Sequence, residues 1–146
     1  MSGETWTGQG LVLADTSAWI VARRIPGARE LFLDAIERAD VAWCWPVRYE
    51  LMVDARGNAG IAALDRALER LREVAVDRAV QRGVLSAMRE IADSGSHGAH
   101  RLPLADLTVA VAAQQSGLMV LHHDRHFDRL AELLGFQARW IAEPSD

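Results

Sequence analysis

Short apolar runs separated by stretches of helical period constrain this chain most. Residues 11–14 (Leu-Val-Leu-Ala) stop at Asp15, residues 41–45 and 118–121 form similar runs, and 138–141 reads as a last strand. Runs of that length read as buried strands. Between them the apolar positions fall at helical spacing. Helices are expected near Ala18, behind Thr16 or Ser17 as N-cap, and over 28–38. A third begins at Pro46 and carries Val47, Glu50, Leu51 and Asp54. Others cover 61–74, 77–92, 104–115 (closed by Gly117) and 127–134 (ended by Gly135). Residues 57–60 and 94–98, rich in Gly, Asn and Ser, read as loops. Strands alternating with helices give an α/β fold with a mostly parallel sheet and helices on both faces.

The chain has 146 residues, which suits a single domain able to bury its own core. Residues 1–10 read as a flexible leader and 143–146 as a tail. Half the residues are hydrophobic and a quarter charged, the balance of an ordinary globular domain. Cys44 is the single cysteine, so neither an intrachain disulfide nor a thiolate zinc site can form. No apolar stretch approaches the ~18 residues of a membrane helix. The first ten residues carry Glu4 and no base, unlike a signal peptide. A cytoplasmic protein of a reducing compartment is expected. The net charge of −4 argues against broad electrostatic binding of nucleic acid. It does not exclude a nuclease whose acidic pocket holds cations. All basic residues are Arg, which fits GC-rich coding or guanidinium recognition of phosphate.

In open α/β sheets the site lies outside the carboxyl ends of the strands. Asp15 follows the first strand and Asp124 follows the run 118–121. Glu50 lies one turn into the helix after the second strand. Asp106 begins the apolar helix after Pro103. Each has an ordinary structural role open to it: Asp15 and Asp124 as caps, Asp106 facing the positive end of its helix dipole, Glu50 as a solvated helix residue. Their convergence on one edge favours a shared role. Clustered carboxylates repel and need protons or metal. All-oxygen ligands suit Mg²⁺ or Mn²⁺, which activate water and stabilise charge in phosphodiester cleavage.

Four segments together resemble the PIN-domain ribonucleases, and within them the VapC toxins of bacterial toxin–antitoxin pairs. They are Asp15-Thr16-Ser17-Ala18-Trp19, then Glu50 within residues 46–51, Asp106 within 103–110, and Asp124 within 121–128. Their order and spacing fit, and the resemblance spans roughly residues 11–141. It implies a three-layer α/β/α sandwich over 11–142 and a metal-dependent endoribonuclease using Mg²⁺ or Mn²⁺. It makes Asp15 and Asp106 the principal metal ligands, with Glu50 and Asp124 completing the catalytic acids. Thr16, Ser17 and Arg125 become candidates for substrate binding, and Asp128 a possible fifth acid. The implied partners are an RNA substrate, a VapB-like antitoxin and a second copy of the chain. No direct DNA binding is expected without the antitoxin. The chain departs from the family pattern at His122, where a small hydroxyl residue is usual.

His122, His123 and His126 surround Asp124, but their spacing matches no zinc motif; one of them could instead contact RNA or act as an acid near neutral pH. Trp19, Trp43, Trp45 and Trp140 read as core or dimer interface, and Trp6 as part of the leader. Arg23, Arg24 and Arg48 are further candidates for phosphate contact. The helices over 61–74 and 77–92 could cover the sheet or pack an antitoxin. Two other functions stay open: a non-catalytic module that binds RNA or antitoxin, and a different phosphodiesterase, phosphatase or DNA nuclease on the same fold. Against an aspartyl phosphatase stands Ser17, where a second Asp would be expected.

Overall fold

The strands are only two to four residues long, and most of them run within a few residues into a helix. The computed structural model describes residues 3–95 and 102–144. In chain order the elements are β1 (Val12–Ala14), α1 (Thr16–Ala22), α2 (Pro26–Glu37), β2 (Val41–Trp43), α3 (Trp45–Val53) and α4 (Gly57–Glu69). Next come β3 (Arg72–Glu73), α5 (Arg78–Asp93), α6 (Leu104–Ser116), β4 (Met119–His122), α7 (Arg125–Leu134) and β5 (Ala138–Trp140).

All strand pairings are parallel, in the order β3-β2-β1-β4-β5. Every carboxyl end therefore lies on one edge. β1 is central, with Val12 opposite Val41 on one side and Met119 on the other. Its side chains alternate between two cores. Leu13 joins Val47, Leu51, Val84, Ile91, Val109 and Phe127 beneath α3, α5, α6 and α7. Val12 and Ala14 join Ala18, Phe32, Ala35, Trp43 and Leu121 beneath α1 and α2. The result is the three-layer sandwich with helices on both faces.

Local chemistry sets the helix ends. Asp15, Asp77 and Asp124 cap α1, α5 and α7 by accepting backbone N–H groups. The first cap differs from the expected Thr16 or Ser17. Gly117 and Gly135 end α6 and α7 at positive φ. α5 lies so close to α6 that a Cβ on Gly83 would sit 2.6 Å from Val111 Cγ1.

Several expectations need correction. Residues 57–60 are the first turn of α4, not a loop. The helix expected over 61–74 stops at Glu69, because Arg72–Glu73 pair with Ala42 and Trp43 as β3. Part of the leader is held in place: Trp140 N donates to Glu4 O, Trp6 N donates to Trp140 O, and Trp6 is buried. This segment covers the outer edge of β5 through a parallel bridge between Thr5 and Trp140. Trp19, Trp43 and Trp140 enter or pack against the cores, but Trp45 is exposed. Of the loop expected over 94–98, Ser94 and Gly95 form a turn and the remainder lies outside the described residues, as do residues 1–2 of the leader and 145–146 of the tail. Among the described residues no helix is long and apolar enough to cross a membrane.

Candidate active site

Asp15 leaves β1 at the middle of the carboxyl edge and is 4% exposed. Its backbone N–H donates to Leu121 O on the neighbouring strand β4. Its Oδ2 accepts from Ser17 N at 3.0 Å and from Ser17 Oγ at 2.7 Å. The same Ser17 hydroxyl accepts from His123 N at 2.9 Å, so it joins the exits of β1 and β4. Glu50 comes from α3 and accepts from Thr16 Oγ1 at 2.8 Å. Asp106 lies in the first turn of α6, and Asp124 caps α7.

The four carboxylates are linked electrostatically through Asp106. Asp15 feels the charges of Asp106 and Glu50, and Asp106 feels those of Asp124 and Glu50. Burial pushes the Asp15 carboxyl up to about 6; the Ser17 hydrogen bonds oppose this and the neighbouring acids add to it. Burial also raises Asp106. A hydrogen bond from His126 works against that shift, and the charge of Asp124 reinforces it.

His126, which the sequence offers only as one of three neighbouring histidines, is the imidazole that reaches the acids. Its Nδ1 lies 3.1 Å from Asp106 Oδ2 and 3.4 Å from Asp124 Oδ1. One ligand atom from each of Asp106, Asp124 and His126 falls within 4.8 Å of the others, close enough to hold one ion. Its place two residues past Asp124 is the visible signal, but the contact depends on how α6 and α7 pack. The other two imidazoles point elsewhere. His122 is fully buried against Phe127 and Trp140, its Nδ1 accepts from Asp124 N, and burial lowers its pKa to about 4. His123 sits edge-on to Trp140. The three therefore form no common imidazole site.

Asp128 has a different partner from the cluster. Both its oxygens accept from Trp140 Nε1, at 3.1 and 3.0 Å. Arg125 is exposed at the start of α7, next to Asp124. Arg48 is engaged by Asp65 and lies over the Trp43 ring, while Arg23 and Arg24 are exposed past the end of α1. Cys44 is buried beside this edge, and burial pushes its thiol up to about 12, which makes it a poor nucleophile.

A parallel α/β/α sandwich with carboxylates just past β1, in α3 and α6, and at the cap of α7, all at its carboxyl edge, defines an acidic-edged domain of the PIN type. A family model described as the PIN domain matches residues 12–133. Ribonuclease VapC18 of Mycobacterium tuberculosis is 35% identical over 129 residues, covering 87% of this chain and 92% of that protein. Ribonuclease VapC11 of the same organism is 27% identical over 138 residues, covering 88% of this chain and 97% of that protein. Among solved structures, the DNA-bound VapBC complex from Salmonella typhimurium superposes with a TM-score of 0.69 at 19% identity, over 92% of this chain and 100% of that one. The chain belongs to the PIN domain family, and within it to the VapC-like proteins.

Proposed function

We propose that this protein is a metal-dependent endoribonuclease, the toxin of a VapBC-like pair. The observation that carries the reading is the convergence of Asp15, Glu50, Asp106 and Asp124, from four separate elements, on one edge where burial and mutual repulsion disfavour the ionised forms of Asp15 and Asp106. Such a cluster fits a hard divalent cation, Mg²⁺ or Mn²⁺. Asp15 and Asp106 would hold it, with Glu50 and Asp124 contributing directly or through water. When bound, such an ion supplies an activated water and positive charge at the scissile phosphate.

The remaining work belongs to the chain. Ser17 and Thr16 aim Asp15 and Glu50 by hydrogen bonds, so their lone pairs are oriented before substrate arrives. His126 bridges Asp106 and Asp124 and offers a donor that can move toward a phosphate oxygen or the leaving oxygen. Arg125, exposed and one residue beyond Asp124, is poised to contact a phosphate. A VapB-like partner is supported by relatives named VapC and by neighbours solved as VapBC complexes. A basic side chain of that partner would fit the acidic edge. A homodimer is the expected assembly, and any contact with DNA would come through the partner.

The test is cleavage of total RNA by the purified, partner-free chain with Mg²⁺, Mn²⁺ or EDTA. Cleavage should require the ion and vanish in Asp15→Ala. Folded wild-type protein that cuts nothing in either ion would sink the enzyme reading and favour a binding module.

A further inference from the structure

Trp45 and Tyr49 stand on α3 one turn apart and are 55% and 57% exposed. Their rings stack, with centroids 5.7 Å apart and planes 12° from parallel. Neither core uses this pair. Trp45 also walls a cleft of about 400 Å³, with Pro46, Ala75 and Val76 beside it and the acidic residues Glu73 and Asp77 completing the lining. Among the described residues no basic side chain lines this cleft.

Its position links it to the acidic edge. Trp45 starts α3 just past β2, and residues 75–77 follow β3. β3, β2 and β1 are adjacent parallel strands, so the cleft and Asp15 lie on the same carboxyl edge. At about 4.8 Å per strand, the separation is on the order of 10 Å. A single strand of RNA crossing the acidic centre can therefore reach the cleft with a neighbouring base.

We propose that this cleft is a nucleobase subsite for single-stranded RNA, taking a guanine stacked on Trp45 with its N–H edge toward Glu73 and Asp77. The inference rests on the ribonuclease reading above. A flat, preorganised aromatic pair suits a base, because every base has a π-face and stacking costs an aromatic side chain little entropy. Carboxylates only accept hydrogen bonds, so they repel phosphate and select a base that donates. Guanine presents N1–H and N2–H₂ side by side, a fork that one carboxylate can accept. Uracil flanks its one N–H with carbonyl oxygens, which face the same carboxylates badly. Asp77 uses Oδ1 to cap α5 through Val80 N, which leaves Oδ2 for the base.

The experiment measures fluorescence anisotropy with the full chain carrying Asp15→Ala to prevent cleavage, in Mg²⁺. The probes are labelled heptamers: all uridine, uridine with one central guanosine, and uridine with one central abasic site. Expected is tighter binding of the guanosine heptamer than of the other two. Trp45→Ala should weaken that binding about 5- to 100-fold, to the abasic level. Trp45→Phe should retain most of it, and Glu73→Gln should erase the preference for guanosine over uridine. Equal binding of all three probes by the parent, or a Trp45→Ala variant that binds like the parent, overturns the subsite. If wild-type protein still cleaves total RNA, that result leaves the ribonuclease reading standing. A parent that binds none of the three probes also overturns the subsite, while the ribonuclease reading falls only if folded wild-type protein cuts no RNA. Trp45→Ala that leaves RNA affinity intact but abolishes binding of an arginine-containing peptide assigns the cleft to a basic protein partner, and also overturns the proposal.

Discussion

The hydroxyl of Ser17 donates to the carboxylate of Asp15 at 2.7 Å while accepting the backbone N–H of His123 at 2.9 Å. One hydroxyl thus aims the central acid of the site and ties the end of β1 to the end of β4. Removing it leaves a part-buried N–H without a partner. Ser17→Ala should cost about 1–2 kcal/mol of stability, read by urea unfolding. Cleavage should fall roughly tenfold for the same loss of orientation. Unchanged stability and rate would show that the backbone N–H of Ser17 is sufficient to hold Asp15.

Asp15 gives the fold a pH dependence of definite sign. Its folded value of about 6 lies above the ordinary 3.8. Between those pH values the folded chain keeps a proton that the unfolded chain has lost. Stability therefore falls as pH rises through this window and stays lower above it. At about 1.4 kcal/mol per pH unit, the cost is on the order of 3 kcal/mol. Asp15→Asn should raise the melting temperature near neutral pH, with the gain fading toward about pH 4. Identical melting curves for the two proteins across that range would contradict this origin of the shift. Mg²⁺ or Mn²⁺ should stabilise wild type and have much less effect on Asp15→Asn.

Thr16 donates to Glu50 at 2.8 Å on an exposed part of the site. Exposed hydrogen bonds contribute little to folding, so Thr16→Val should change stability by less than about 0.5 kcal/mol. It should lower the cleavage rate severalfold, and Thr16→Ser should restore it. A rate that Thr16→Val leaves untouched would remove Thr16 from the positioning of Glu50.

Asp128 accepts from the indole of buried Trp140, which also contacts His122. Asp128→Ala should destabilise by about 1–3 kcal/mol, because it strands a buried N–H. Asp128→Asn, which retains an acceptor, should keep ion-dependent cleavage. Loss of cleavage in a folded Asp128→Asn protein would make Asp128 the fifth acid after all.

How far each feature is legible in the sequence depends on how local its signal is. Asp15 and Asp124 come at or just past the ends of apolar strands, so the edge rule finds them. Asp106 stands out as a charge in an otherwise apolar helix, and Glu50 by its distance past β2. β3 escapes because Arg72 and Glu73 are two exposed, charged residues whose pairing with β2 is a tertiary event. Residues 57–60 mislead because Gly57 takes φ of +64° and then starts a helix. The hold on Glu4–Trp6 depends on Trp140, far away at the other end of the chain. His126 joins the site only through the packing of α7 beside α6. The exposed Trp45–Tyr49 pair cannot be told from core aromatics until burial is known.

The central claim is that Asp15, Glu50, Asp106 and Asp124 make one cation site. Calorimetric titration of Mn²⁺ into the purified chain tests it most directly. Expected is saturable binding to wild type, weakened about tenfold or more in both Asp15→Asn and Asp106→Asn while each stays folded. Wild-type protein that takes up no Mn²⁺, or variants that bind it as tightly as wild type, would contradict the claim.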